Sequence, residues 1–360
     1  MATLPMYAQA LAAGEPAAWH QVNSPGGYEA WQFVARDEAK DIWIIASLSW
    51  GSCFLPSYLR KYEHYRRWPT RVKPPVGKDH CCASFAMYEA GGAVTRLDAC
   101  VSGDQFGVSK AEPGVHVGGN RMSVDREGNL HVALRGTPWE MTGAAGPALV
   151  RERTVTANLA FEPAAVNAGI QREMELTDEA GPVHRWMVSR PVCRVTGEMR
   201  VFEGAESRAV EVDGRGYHDR AWGLRPLAWD FDCGLRGFVL GENRAVVMRW
   251  QSGRRSGTPF ARVVSVDGSG RSDVEEVGAS VSAWKRAGGG GVRYPMSVCF
   301  GDALSFENPR VLATTLASVT AVYEMKVADE TSTALCELVD WRRLRSEAWG
   351  RLIELGVAKA

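Results

Sequence analysis

The sequence predicts an all-β protein, built as two tandem antiparallel β-barrels followed by a C-terminal helix. Three observations carry this reading: 38 glycines in 360 residues, a scarcity of long helical patterns, and short alternating apolar segments that recur between turn signals. A chain of 360 residues also exceeds one ordinary domain, since about 150 residues per domain is usual.

The alternation is clearest in three places. Met122 and Val124, a turn at Glu127-Gly128, then Leu130, Val132 and Leu134 read as a hairpin with one apolar face. Val264 and Val266 before Asp267-Gly268-Ser269-Gly270 read the same way, and Thr154 to Phe161 is a further strand. Closing such sheets into barrels removes their exposed edges. The one persuasive helix is terminal: Trp341, Leu344, Ala348, Leu352 and Leu355 recur at helical spacing, with Arg342, Arg343, Arg345 and Arg351 among the intervening positions. A helix packed across a barrel and a basic amphipathic membrane helix both fit that pattern.

An early Gly27-Tyr28-Glu29-Ala30-Trp31 is echoed by Gly216-Tyr217-His218-Asp219-Arg220-Ala221-Trp222. The echo predicts two units, each opening with a Gly-Tyr turn into a strand. With Ser189-Arg190-Pro191 as the linker, the units run over 15–190 and 191–340, and the helix over 341–360. Leu55 to Lys78 reads as a long loop. Its Tyr58, Tyr62, Tyr65 and Trp68 are mixed with Arg60, Lys61, Arg66, Arg67, Arg71, Lys73 and Lys78, a composition that suits either a membrane headgroup region or a solvated lid over the first barrel.

Lys plus Arg and Asp plus Glu both number 42, so no global field favours nucleic acid or an anionic membrane, and nucleic acid is not an expected partner. Met1 to Gly14 lacks a basic region followed by an apolar core, and no run reaches the roughly 18 apolar residues of a membrane span. The expectation is a cytoplasmic protein, with peripheral association at the inner membrane surface left open. The eight cysteines form no CxxC pair and read as reduced, mostly buried thiols. His80, Cys81 and Cys82 lack a fourth ligand at metal spacing, so no metal is expected. There is no P-loop, GxGxxG, GxSxG or HExxH motif, and Gly288 to Gly291 is a turn rather than a phosphate cradle.

Two polar segments obey strand spacing. Residues two apart share a face of a strand, so His184 sits with Trp186 and Tyr217 with Asp219. Two such pairs can meet in one cavity. Equally, Tyr217 and Asp219 can form a turn, His184 can be a satisfied surface histidine, and Trp186 and Trp222 can be core.

At these residues the sequence resembles the carotenoid 1,2-hydratases, or hydroxyneurosporene synthases, within the AttH-like, lipocalin-like superfamily. The resemblance lies in Gly214-Arg215-Gly216-Tyr217-His218-Asp219-Arg220-Ala221-Trp222-Gly223 and in His184-Arg185-Trp186 with Pro191 and Arg194-Val195. Tyr28-Glu29-Ala30-Trp31 and Cys53-Phe54-Leu55-Pro56-Ser57-Tyr58 are similar to weaker landmarks. Ala221 stands where the family usually has Asn, and Gln32 where an aromatic is common.

The resemblance implies two lipocalin-like barrels with a hydrophobic cavity, and addition of water across a terminal double bond of an acyclic carotenoid or other polyene. Protonating such an alkene gives a tertiary carbocation, which calls for a carboxyl kept protonated in an apolar site. Asp219 is the candidate acid. Tyr217 would hold it or orient water, Trp186 would set its π-face beside the cation, and His184 would position the attacking water. Trp222, Trp31 and Tyr28 would contact substrate, His218 is structural, and no cofactor is implied. Two alternatives remain open here: a cyclase or pericyclase of the same superfamily, and a lipocalin-like binder of hydrophobic ligands without chemistry.

Overall fold

Strands β1 (Tyr28–Asp37), β2 (Ile42–Trp50), β3 (Cys81–Tyr88) and β4 (Val94–Val101) pair antiparallel in chain order. They belong to a 13-stranded sheet, in which β1 also pairs with Glu206–Gly223 and that strand with Gly181–Glu203. A nine-stranded sheet takes up the strands from Phe231 to Asp340, and Trp139–Met141 pairs with Pro147–Leu149 separately. The computed structural model describes residues 19–359 except 110–112, 142–146, 151, 164–173, 179–180, 243, 254–259, 268–270, 289–290, 303, 328–329 and 355–357. Met1 to Gly14, the Gly268-Ser269-Gly270 turn and Leu355 lie outside the described residues.

Each sheet curls, barrel-like, around its own apolar core. Trp31, Phe33, Ile44, Leu48, Phe85, Val132 and Phe161 help to fill the first, and Leu235, Met248, Phe300, Phe306 and Leu338 the second. A third apolar layer joins the outsides of the two sheets, with Val34, Trp43, Ile45 and Tyr217 from one and Phe238, Val247, Val322 and Leu335 from the other. Strands at this junction therefore bury both faces, which is why Ile42-Trp43-Ile44-Ile45 is a continuous apolar run rather than an alternation.

The mostly-β, two-barrel expectation holds. The Met122/Leu130 hairpin forms with Val124 opposite Leu130 and Met122 opposite Val132, and Thr154 to Phe161 lies within the strand Arg153–Pro163. Val264 and Val266 lie on Phe260–Asp267, which pairs with Ser272–Glu276.

Several details differ. Ser189-Arg190-Pro191 is not a linker but lies inside the 23-residue strand Gly181–Glu203. The register with Glu206–Gly223 shifts between Val188 and Arg190 and again between Arg190 and Cys193. Proline has no N–H to give to a ladder, so a bulge is where a strand accommodates it. The chain passes from one sheet to the other after Gly223, through the single turn of helix Leu227–Asp230. The Gly-Tyr echo does not open two units either: Tyr217 stands opposite Val34, so the two segments are neighbouring strands of one sheet.

Half of the expected loop is helix α1, Pro56–Arg67, which has proline in its first turn and buries Tyr58, Leu59 and Tyr62. The terminal helix is broken by Ser346, in extended conformation, into Trp341–Arg345 and Glu347–Glu354. Trp341 and Leu344 pack on Leu59, Ala228 and Phe231 at the end of the inter-sheet layer, not across a barrel. Cys82 and Cys100, opposite each other on β3 and β4 with Cα atoms 4.2 Å apart, form a disulfide, whereas they were expected to be thiols; the other six cysteines are free.

Candidate active site between the two sheets

Strand alternation and register place two polar rows opposite each other in the inter-sheet layer. On the first sheet, Asp219, Gln32, Ser47, Ser84 and Asp98 align across five adjacent strands. On the second, Arg249, Arg236, Glu337 and Thr320 align across four. All nine side chains line one cavity of about 280 Å³. Arg249 Nη2 lies 3.4 Å from Asp219 Oδ2. Arg236 donates to Gln32 Oε1 and, at 2.6 Å, to Glu337 Oε2, while the Tyr88 and Thr320 hydroxyls lie 3.1 Å apart.

Asp219 is 1% exposed. Its Oδ2 accepts from Tyr217 Oη at 2.8 Å and Trp186 Nε1 at 2.9 Å. Tyr217 reaches it as a same-face neighbour and Trp186 diagonally from the paired strand, because Val188 is directly opposite Asp219. The register shift beside Val188 places a bulge next to this cluster. Asp219 Oδ1 is buried without a hydrogen-bond partner. Burial, and then the charge of Asp219, push the Tyr217 hydroxyl well above the usual phenol range, so it remains a neutral donor.

The surroundings of Asp219 are less apolar than the implied chemistry suggested, because Arg249 approaches from the second sheet. The face of Trp186 is also occupied: the Arg249 guanidinium carbon sits 4.4 Å from the ring centroid.

His184 belongs to a second cluster. Its Nδ1 lies 3.3 Å from Tyr28 Oη and its Nε2 2.8 Å from Asp230 Oδ2, and Asp230 is in turn held by both Arg225 Nε and Nη2, at 2.7 and 2.8 Å. Gly223 makes this packing possible, since a Cβ there would stand 2.6 Å from both His184 Nδ1 and Tyr28 Cε1. Desolvation opposes ionisation of Asp230, but the hydrogen bonds from His184 and Arg225 outweigh it and hold the carboxyl below its usual range. Tyr28 lines the cavity and His184 does not. Burial likewise pushes the Tyr28 hydroxyl well up. Tyr58, in the early Cys-Phe-Leu-Pro-Ser-Tyr segment, donates to the Gly27 carbonyl at 2.6 Å and so fixes the entry to Tyr28.

The structure thus brings Trp186, Tyr217 and Asp219 into contact, with Tyr28 on the same cavity and His184 behind Tyr28. It does not bring Trp31 or Trp222 there. Trp31 points into the first barrel core. Trp222 stacks on His20 at 3.9 Å, on the face opposite to Ala221. Strand parity is the reason in both cases. His218 also faces away, stacked on Phe33 with Nδ1 2.8 Å from the Gln32 carbonyl. Sequence reasoning missed Arg249, Arg236 and Asp230. For the two arginines a signal existed: each is the one charge in a run of apolar residues and glycine, Cys233 to Leu240 and Ala245 to Trp250. Among the described residues, no group of three or more His, Cys, Asp or Glu could hold a metal ion.

Comparison with known proteins bears on the family and the fold. The family model "Carotenoid hydratase CrtC" matches residues 51–359. The chain belongs to the CrtC carotenoid hydratase family. A curated relative, hydroxyneurosporene dehydrogenase from Chlorobaculum tepidum, is 28% identical over 219 residues, which are 60% of this chain and 54% of the relative. The chain therefore spans about half of that relative's length. Among solved structures, a candidate AttH from Nitrosomonas europaea has a TM-score of 0.62 at 12% identity, with 94% of this chain and 98% of that one covered. Kievitone hydratase from Nectria haematococca has a TM-score of 0.54 at 11% identity, with 88% and 90% covered. These two likenesses show the fold that the CrtC-family chain shares with them.

Proposed function

We propose that this CrtC-family chain adds water across a terminal double bond of an acyclic isoprenoid, with Asp219 as the proton donor. The observation that carries the reading is the difference between the two oxygens of Asp219: Oδ2 is fixed by Tyr217 and Trp186, while Oδ1 lies unpartnered in a residue that lines the cavity. A proton on Oδ1 leaves Oδ2 as a carbonyl oxygen that still accepts both bonds. The π electrons of the alkene take that proton at the less substituted carbon, and the tertiary cation forms at the other. A water oxygen bonds to the cation, and its surplus proton returns to Asp219. Between these steps the carboxylate retains Tyr217, Trp186 and Arg249 as donors, so negative charge is stabilised where it develops. Tyr28, with His184 and Asp230 behind it, orients the reacting end group.

The test is turnover of acyclic carotenoids in ¹⁸O-labelled water. A product heavier by one labelled water is expected; an isomer of unchanged mass, or a product that has lost hydrogen, would sink hydration.

For substrate entry we propose a bilayer surface next to α1. Phe54, which lines the cavity, is 46% exposed and Trp68, at the far end of α1, is 49% exposed. Lys61, Arg66, Arg67, Arg71 and Lys73 are exposed around them, a combination suited to anionic headgroups. No helix among the described residues is long and apolar enough to cross a membrane. Sedimentation with anionic vesicles should capture the protein, and replacing Arg66 and Arg67 with Ala should weaken capture by about fivefold per residue. Equal capture by neutral vesicles would contradict this docking mode.

A further inference from the structure

We infer that the cavity contains a built site for a hydroxyl-sized oxygen, of water or an alcohol, between Gln32 and Asp219. Gln32 is 3% exposed. Its Oε1 is taken by the Arg236 guanidinium, which fixes the orientation of the amide, and its Nε2 has no hydrogen-bond partner. Asp219 stands directly opposite Gln32 on the neighbouring strand, and its Oδ1 is the other unpartnered atom. Directly opposed side chains in a sheet have Cβ atoms about 5 Å apart, a spacing that one oxygen atom can bridge. A third unpartnered atom, Gln251 Oε1, belongs to the second-sheet side of the same cavity.

Leaving a buried donor and acceptor unpaired is costly, and native interiors rarely do so. A plain hydrocarbon cannot satisfy them. An oxygen that accepts from Gln32 Nε2 and donates to the Asp219 carboxylate satisfies both. When Asp219 is protonated, the same oxygen accepts from Oδ1 instead. Two sources supply this chemistry: the water that attacks the cation, and a hydroxyl that the substrate already carries. The inference rests on reading the cavity as the substrate site, but not on turnover.

Binding of two saturated, unreactive probes tests it: 2,6-dimethyloctan-2-ol and 2,6-dimethyloctane, followed by tryptophan fluorescence of the full chain and corrected for each probe's partition from water into octanol. The alcohol should bind about three- to tenfold more tightly than its partition accounts for, as one or two hydrogen bonds would give. Gln32→Met should remove that excess and leave binding of the alkane unchanged. Equal corrected affinities in the unmodified protein would overturn the inference, whether or not the variant folds, and so would an excess that survives Gln32→Met.

Kinetics then separate the two sources. For the attacking water, Gln32→Met lowers kcat on an unoxygenated polyene with KM unchanged. For a substrate hydroxyl, it raises KM only for hydroxylated substrates. A protein that binds the alcohol as expected but turns over no polyene would remove the proposed hydration and leave this site standing.

Discussion

Strand β1 has two faces with opposite tasks. Trp31, Phe33 and Ala35 help to fill the largely apolar first barrel, beside the buried Glu29–Arg220 ion pair and His218. Tyr28, Ala30 and Gln32, on alternate positions, face the second sheet and line the cavity. The barrel interior holds the fold together, whereas the barrel exterior, covered by the other barrel, carries the cavity and the polar rows that line it. A closed barrel packed with aromatics has little room for a ligand, but two sheets meeting face to face can leave a slot between their rows of side chains.

If the faces are divided in this way, Asp219→Asn should have the largest effect. Losing the proton donor should lower kcat by about 10²–10⁴-fold, with binding of the saturated alkane retained and thermal stability little changed. Near-normal turnover would break the assignment of chemistry to the outer face. Trp31→Leu tests the inner face: it should cost about 2 kcal/mol of stability in denaturant unfolding, with kcat and KM of the folded protein within about twofold of the original. A large rise in KM would mean that substrate enters the barrel after all.

The smallest effect concerns Asp230. Its folded pKa is depressed, so its contribution to stability is fully present above the unfolded value of about 3.9 and is lost as pH falls through the folded value. The stability gap between the protein and Asp230→Asn should be about 1 kcal/mol near neutrality and should begin to close below about pH 4. A gap that stays constant down to pH 3 would show that the ion pair with Arg225 and His184 contributes nothing specific.

How much of this was legible in the sequence depends on the range of the interaction. The period-2 spacing of Tyr217 and Asp219, and of His184 and Trp186, follows from strand geometry alone, and three of these four side chains do converge. The all-β character was legible for the same local reason. Which face of each strand meets the other sheet was not: parity is local, but the partner surface lies far along the chain. Trp31 and Trp222 were therefore placed at the site, although each is one residue out of phase with it. The bulge at Ser189-Arg190-Pro191 carries the same composition as a linker, because proline marks both. Arg249 pairs with a carboxylate 30 residues away and sits in no motif, but a charge inside Ala245-Val246-Val247-Met248-Arg249-Trp250 is costly unless something opposes it. That cost was the readable clue.

The layer that joins the two sheets also has a consequence for biosynthesis. The first sheet has nearly all its strands once Gly223 has been made, but its cover is complete only when the chain reaches Asp340. At roughly 5–20 residues per second on the ribosome, that interval lasts about ten seconds. Throughout it Val34, Trp43, Ile45, Tyr88 and Val188 form an uncovered apolar surface on an otherwise nearly finished barrel. A nascent chain stalled in this interval would present a sticky half-molecule, and a chaperone that shields flat apolar surfaces would have its natural client there.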